Sequence, residues 1–176
     1  MMENINDKHI LNFQKARNWL FIMIIATLAS CVLFAYGFTF RVPFSASLPI
    51  DILLVAGGIA FEYANENYWL GGIISAFFIV LMYLLFWVLS KKRRVLIVFA
   101  LAFFSIDALF LAERLLAEIS PTTILAVFLA IVFHGWILFC LTRGAIAWGN
   151  LRGVTDEQFI KDVLRVAKES KNQAKN

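Results

Sequence analysis

A chain of 176 residues that is 61% hydrophobic and only 16% charged lies outside the range of ordinary soluble domains, which are about half apolar and a quarter charged. Two cysteines in separate apolar blocks make neither a disulfide framework nor a metal motif. The net charge of +4 is accounted for by basic residues flanking apolar blocks, so it calls for no nucleic-acid partner.

Residues 1–17 are polar and of mixed charge and read as a cytoplasmic N-terminal segment. The first apolar block, Trp19–Phe38, is long enough to cross the hydrocarbon core of a bilayer, which takes about 20 residues. Its Leu28-Ala29-Ser30-Cys31 matches a bacterial lipobox. The chain continues VLFAYGF after Cys31, still apolar, which favours an uninterrupted helix over a lipid-modified terminus. Arg41-Val42-Pro43-Phe44-Ser45-Ala46-Ser47-Leu48-Pro49 then breaks the chain with two prolines. Pro49 suits a helix start, and Asp51 falls in the first turn, near the positive end of the helix dipole. The helix so begun, about 49–63, is short and carries Gly57 and Gly58. It reads as interfacial, or as dipping partly into the membrane and returning.

Three more spans follow: Trp69–Leu89, Val95–Ala112 and Ile124–Leu141. Four spans place Lys8, Lys15, Arg17, the Lys91-Lys92-Arg93-Arg94 cluster and everything from Arg143 onward on one side. Of the 16 Lys and Arg residues, only Arg41 and Arg114 fall on the other. A fifth span would separate the basic cluster from the C-terminal tail. Short basic loops stay in the cytoplasm, so both termini are expected inside, with 39–68 and 116–122 outside. Tyr36, Tyr68 and Trp69 fit an aromatic belt on the outer side; Trp19, Trp87 and Trp148 fit one on the inner side. Glu62, Glu66, Glu113 and Glu118 make the outer side acidic.

The last segment, 149–176, begins a helix at Thr155-Asp156-Glu157-Gln158, which has the form of a capping box. Phe159, Ile160, Val163 and Leu164 recur at helical spacing, with Lys161, Arg165 and Lys168 on a basic side. The predicted element is an amphipathic helix over 155–168, resting on the inner leaflet or docking a cytoplasmic partner. The fold class is therefore all-α: a four-helix transmembrane bundle over 18–148 with an extra interfacial or re-entrant helix and a C-terminal amphipathic helix.

One carboxylate sits inside the third span. In AFFSIDALFLAERL, Asp107 is flanked by Ile106 and Ala108 among phenylalanines and leucines. An ionisable group at that depth is costly and marks a candidate site. The fourth span carries His134 at a height about one helical turn away. A short link around Ser120-Pro121 makes the two spans antiparallel neighbours. Asp107 is expected to face His134 directly or through one water. The pair reads either as glue between helices or as a substrate- or ion-binding site. As glue, it would tolerate Asp107→Asn, because an amide still bonds imidazole. Two such groups are too few for a metal site, since zinc takes at least three protein ligands. No cofactor motif is present, and G-x-S-x-G, H-E-x-x-H and the phosphate-binding G-x-x-x-x-G-K-[ST] are absent.

Phe44-Ser45-Ala46-x-x-Pro49, the lone Asp107, and Phe-His-x-Trp at 133–136 followed by Gly144 resemble the pattern of a group of small four-span bacterial membrane proteins. The resemblance covers roughly residues 15–150, leaving out the ANEN loop and the tail. It implies a four-helix fold in a bacterial plasma membrane and carries over no catalytic role. The functional reading is a non-enzymatic accessory, assembly or regulatory membrane subunit, alone or as a homo-oligomer or with a membrane-protein partner. The alternative is a small transporter or channel built on Asp107 and His134.

Overall fold

In an apolar surrounding, a backbone without internal proline satisfies its own N–H and C=O groups by forming an α-helix. The computed structural model describes residues 5–38, 42, 44–117 and 124–173, and among these it has six helices and no strand. They are α1 (Ile5–Ala35), α2 (Leu48–Glu62), α3 (Glu66–Leu89), α4 (Leu96–Ala117), α5 (Ile124–Asn150) and α6 (Asp156–Gln173). Arg41, Glu118 and the Ser120-Pro121 link lie outside the described residues.

Four helices, α1, α3, α4 and α5, are long and apolar enough to cross a membrane. Only 22% to 33% of each apolar window is buried inside the bundle. The rest of each apolar surface therefore needs an apolar solvent, which is the arrangement of a multi-pass membrane protein. The four helices form a ring in which α1 touches α3 and α5, and α4 touches the same two. Leu20, Met23, Ile24, Tyr83, Ile97, Phe104, Ile137 and Leu141 fill its centre.

Two glycines set the closest helix approaches. A Cβ on Gly144 of α5 would overlap the Cβ of Ala16 on α1, and one on Gly72 of α3 would overlap the Cβ of Ala56 on α2. Small residues let membrane helices approach this closely and gain van der Waals contact where no hydrophobic effect drives association. Gly58 and Gly71 instead face open space.

The first turns of α1, the 90–94 turn and the chain beyond α5 gather at one end of the ring, as four spans require. Arg17 is buried there. Its Nε donates to Ser90 Oγ at 2.8 Å, and its terminal nitrogen donates to the Trp87 carbonyl at 3.3 Å, at the end of α3. Arg94 donates to the carbonyls of Leu151 (3.1 Å) and Val154 (2.6 Å), just past α5. Both arginines thus close the C-terminal ends of helices, where carbonyls lack partners and the dipole favours a cation.

α1 does not break before Trp19. Its 31 residues span about 46 Å against a hydrocarbon thickness of about 30 Å, so the excess projects beyond the ring. The excess lies at the N-terminal end, where α6 packs against it. Phe159 meets Phe13 edge-on at 5.6 Å, and Arg165 bonds Asp7 at 2.7 Å. Six residues separate the contacts on each helix, about 9 Å on both, so the two helices run antiparallel. The predicted apolar face of α6 divides. Phe159 is buried and Val163 half-buried, whereas Ile160 and Leu164 stay exposed. Half of the predicted capping box forms: Thr155 Oγ1 accepts the Gln158 N–H at 3.3 Å, but the Gln158 side chain turns forward to Asp162 at 3.2 Å instead of reaching back.

Candidate functional site

The site forms where the chain before α2 enters the ring. Ser45, Ala46 and Ser47 are buried, and each described amide from 46 to 48, with that of Val42, finds an acceptor on a helix side chain. Val42 N donates to Ser30 Oγ at 2.9 Å, and Ala46 N to Thr27 Oγ1 at 2.8 Å. Thr27 in turn donates to the Met23 carbonyl at 2.8 Å, which orients its lone pairs toward Ala46. Phe44 adopts φ +68°, a left-handed conformation that costs an L-residue roughly 1–2 kcal/mol. Rings on two helices hold it there: Phe133 at 4.2 Å and Trp19 at 5.4 Å.

Asp107 completes the set. Its Oδ2 accepts the Ser47 N–H at 3.0 Å and its Oδ1 accepts the Leu48 N–H at 2.6 Å. These are donors at the start of α2, which its own helix cannot satisfy. The N-cap residue, Ser47, makes no side-chain cap bond. A carboxylate from α4 therefore caps α2 across the bundle, where the helix dipole also favours an anion. Asp107 has no exposed surface.

His134 lies beside the carboxylate, its Nε2 at 3.4 Å from Asp107 Oδ2 and 3.3 Å from Ser47 Oγ. Its Nδ1 is 3.0 Å from the Ala130 carbonyl, which can only accept, so Nδ1 carries a proton. In the neutral ring Nε2 is then an acceptor for the Ser47 hydroxyl. The imidazole stacks on Phe104 at 5.3 Å and 11°, which fixes the ring plane.

The depth arithmetic placed Asp107 and His134 together, and they are adjacent. The main bonds of Asp107, however, run to the backbone of residues 47 and 48. Pairing with imidazole is the longer, secondary contact. The expectation that Asn could stand in for Asp107 by bonding imidazole leaves these two backbone donors out of account. An amide offers only one oxygen, and its NH₂ would face a backbone N–H, donor against donor. Ser47, Thr27 and Ser30 are site residues that the sequence reading passed over. Thr27 and Ser30 lie three residues apart on one helix face, and small polar residues precede Pro49, the signature of a helix cap. Those two patterns were the available signals.

Tyr83 is buried in the ring core beneath these groups, against Phe104 at 6.5 Å, and among the described residues its hydroxyl has no hydrogen-bond partner. No cluster of three or more His, Cys, Asp and Glu side chains assembles among the described residues. The cavity at the α2–α3 turn, lined by residues between Gly57 and Ile73, includes none of Ser47, Asp107 or His134.

Fold and site together define a multi-pass, four-helix membrane-type bundle with an internally capped short helix. Comparison with protein-family models, curated proteins and solved structures finds no match for this chain.

Proposed function

We propose that this chain is a non-enzymatic subunit of a bacterial plasma membrane, with an accessory, assembly or regulatory role exerted through its lipid- and partner-facing surfaces. In this reading Asp107 and His134 hold Ser47 and Leu48 in the bundle and bind no solute. The observation that carries it is the bonding of Asp107: both oxygens are engaged by backbone N–H donors, and no surface is exposed. A cation approaching that carboxylate would meet two N–H dipoles pointing the wrong way. A second reading, a small oligomeric transporter or channel, draws support from the buried Tyr83 hydroxyl in the core below, which has no hydrogen-bond partner among the described residues.

Proteoliposomes separate the two. The purified chain is expected to give no proton or monovalent-cation flux above protein-free vesicles, with His134→Gln indistinguishable from the parent. A flux that His134→Gln abolishes while the protein stays folded would establish the transport reading instead.

Orientation follows from charge. The end carrying Arg17, Arg94 and α6 is assigned to the cytoplasm by the basic excess there. Single cysteines at Asn67→Cys and Gln173→Cys, with Cys31 and Cys140 replaced, test it in intact cells. An impermeant thiol reagent is expected to label position 67 and spare 173; the reverse pattern inverts the map.

A further inference from the structure

We propose that the groove at the turn of the α2–α3 hairpin seats a phospholipid with an ammonium head group. The groove is open to the surroundings and offers about 870 Å³. Gly57 of α2 presents no side chain to it and Ala60 only a methyl, and Trp69 and Ile73 of α3 wall it. The Trp69 ring lies close over Gly57, where an added Cβ would come within 3.3 Å, so the indole closes the floor. Asn65 and Glu66 rim the end at the turn.

Polarity is graded along the groove. From Glu66 to Ile73 is about 10 Å along α3, polar at the turn and apolar below. A phospholipid standing in a leaflet has the same order, head group above acyl chain. The turn carries the features of the head-group level. Tyr63 and Tyr68 are exposed, with rings 6.1 Å apart, as amphipathic aromatics are at membrane interfaces. Charge then selects among lipids. Glu66 is the one ionisable residue in the lining, and Glu62 is exposed one turn before it. Two carboxylates repel a net-anionic head group. A primary ammonium complements them, and its phosphate remains in water. The site is independent of Asp107 and of the functional reading above.

The full-length protein, delipidated in detergent and offered an equimolar mixture of phosphatidylethanolamine and phosphatidylglycerol, tests this by native mass spectrometry. The expected result is a several-fold excess of bound phosphatidylethanolamine. Glu66→Gln should lower the preference for the ethanolamine lipid at least twofold without lowering total lipid retained. Ala60→Trp should fill the groove and remove the retained ethanolamine lipid. Equal retention of both lipids by the parent, or an unchanged preference in Glu66→Gln, overturns the proposal. A preference that persists in folded Ala60→Trp overturns it too. If Ala60→Trp does not fold, the Glu66→Gln comparison decides alone.

Discussion

Asp107→Leu is expected to destabilise the protein more than any other single change at the site. Leucine suits the surrounding apolar helices by size and polarity, so a residue-level hydropathy argument predicts the opposite sign. The loss falls on the backbone. The N–H groups of Ser47 and Leu48 are left in the bundle without an acceptor, at about 1–3 kcal/mol each. The start of α2 also loses the anion that faces its dipole. A gain from burying leucine, at most about 3 kcal/mol for a full side chain, does not offset both losses at the upper end of that range, because position 107 is already fully buried in the parent. Asp107→Asn should fall between parent and leucine variant, at about 2–3 kcal/mol, since one N–H keeps an oxygen and the other meets an amide NH₂. Thermal unfolding in detergent reads both, at roughly 2–4 °C per kcal/mol for a chain of this size. If Asp107→Leu melts with the parent, the capping account is wrong. If Asp107→Asn does so while the leucine variant falls, the imidazole contact carries the stability and the amides do not.

Gly144→Ala should destabilise as well, against its local propensity. In a helix interior the exchange of glycine for alanine gains about 1 kcal/mol. Here the new methyl would overlap the Cβ of Ala16, in the most extensive helix contact of the ring. Overpacking of that kind costs about 1–3 kcal/mol, so the steric term wins. Ala16→Gly in the same chain removes the opposing methyl and should restore most of the loss. The pair makes a double-mutant cycle with a coupling that neither single change contains. Gly71→Ala is the matched control. Nothing lies within 4 Å of its Cβ position, and the variant should melt at or slightly above the parent temperature. Failure of Ala16→Gly to rescue Gly144→Ala would mean that α1 and α5 do not meet at these positions.

Much of this architecture was legible in one dimension. Apolar runs of about 20 residues identify spans because length and side-chain hydropathy alone decide whether a helix can cross a bilayer. The short helix was placed at about 49–63 and is found at Leu48–Glu62, because proline marks a first turn locally. Asp107 and His134 were brought together by counting rise per residue along two antiparallel helices, a calculation that needs no tertiary information. Length alone did not reveal that α1 continues below Trp19, since residues 5–17 are polar and of mixed charge and only the packing of α6 covers Phe13.

Tertiary structure decided what the buried acid does. Its partners are backbone amides some 60 residues away, and a backbone N–H leaves no trace in a hydropathy profile. The same holds for Arg17 and Arg94, which appear as boundary charges in sequence and close the carbonyl ends of helices in the fold. Glycines divide in the same way. Gly71 and Gly72 are neighbours of identical composition, yet one faces open space and the other lies against Ala56, because a helix turns about 100° between them. Sequence determined the class and the spans, and set Asp107 and His134 at matching heights on neighbouring helices. The pairing of those groups depended on which backbone donors the packed chain left without partners, and only the assembled bundle sets that.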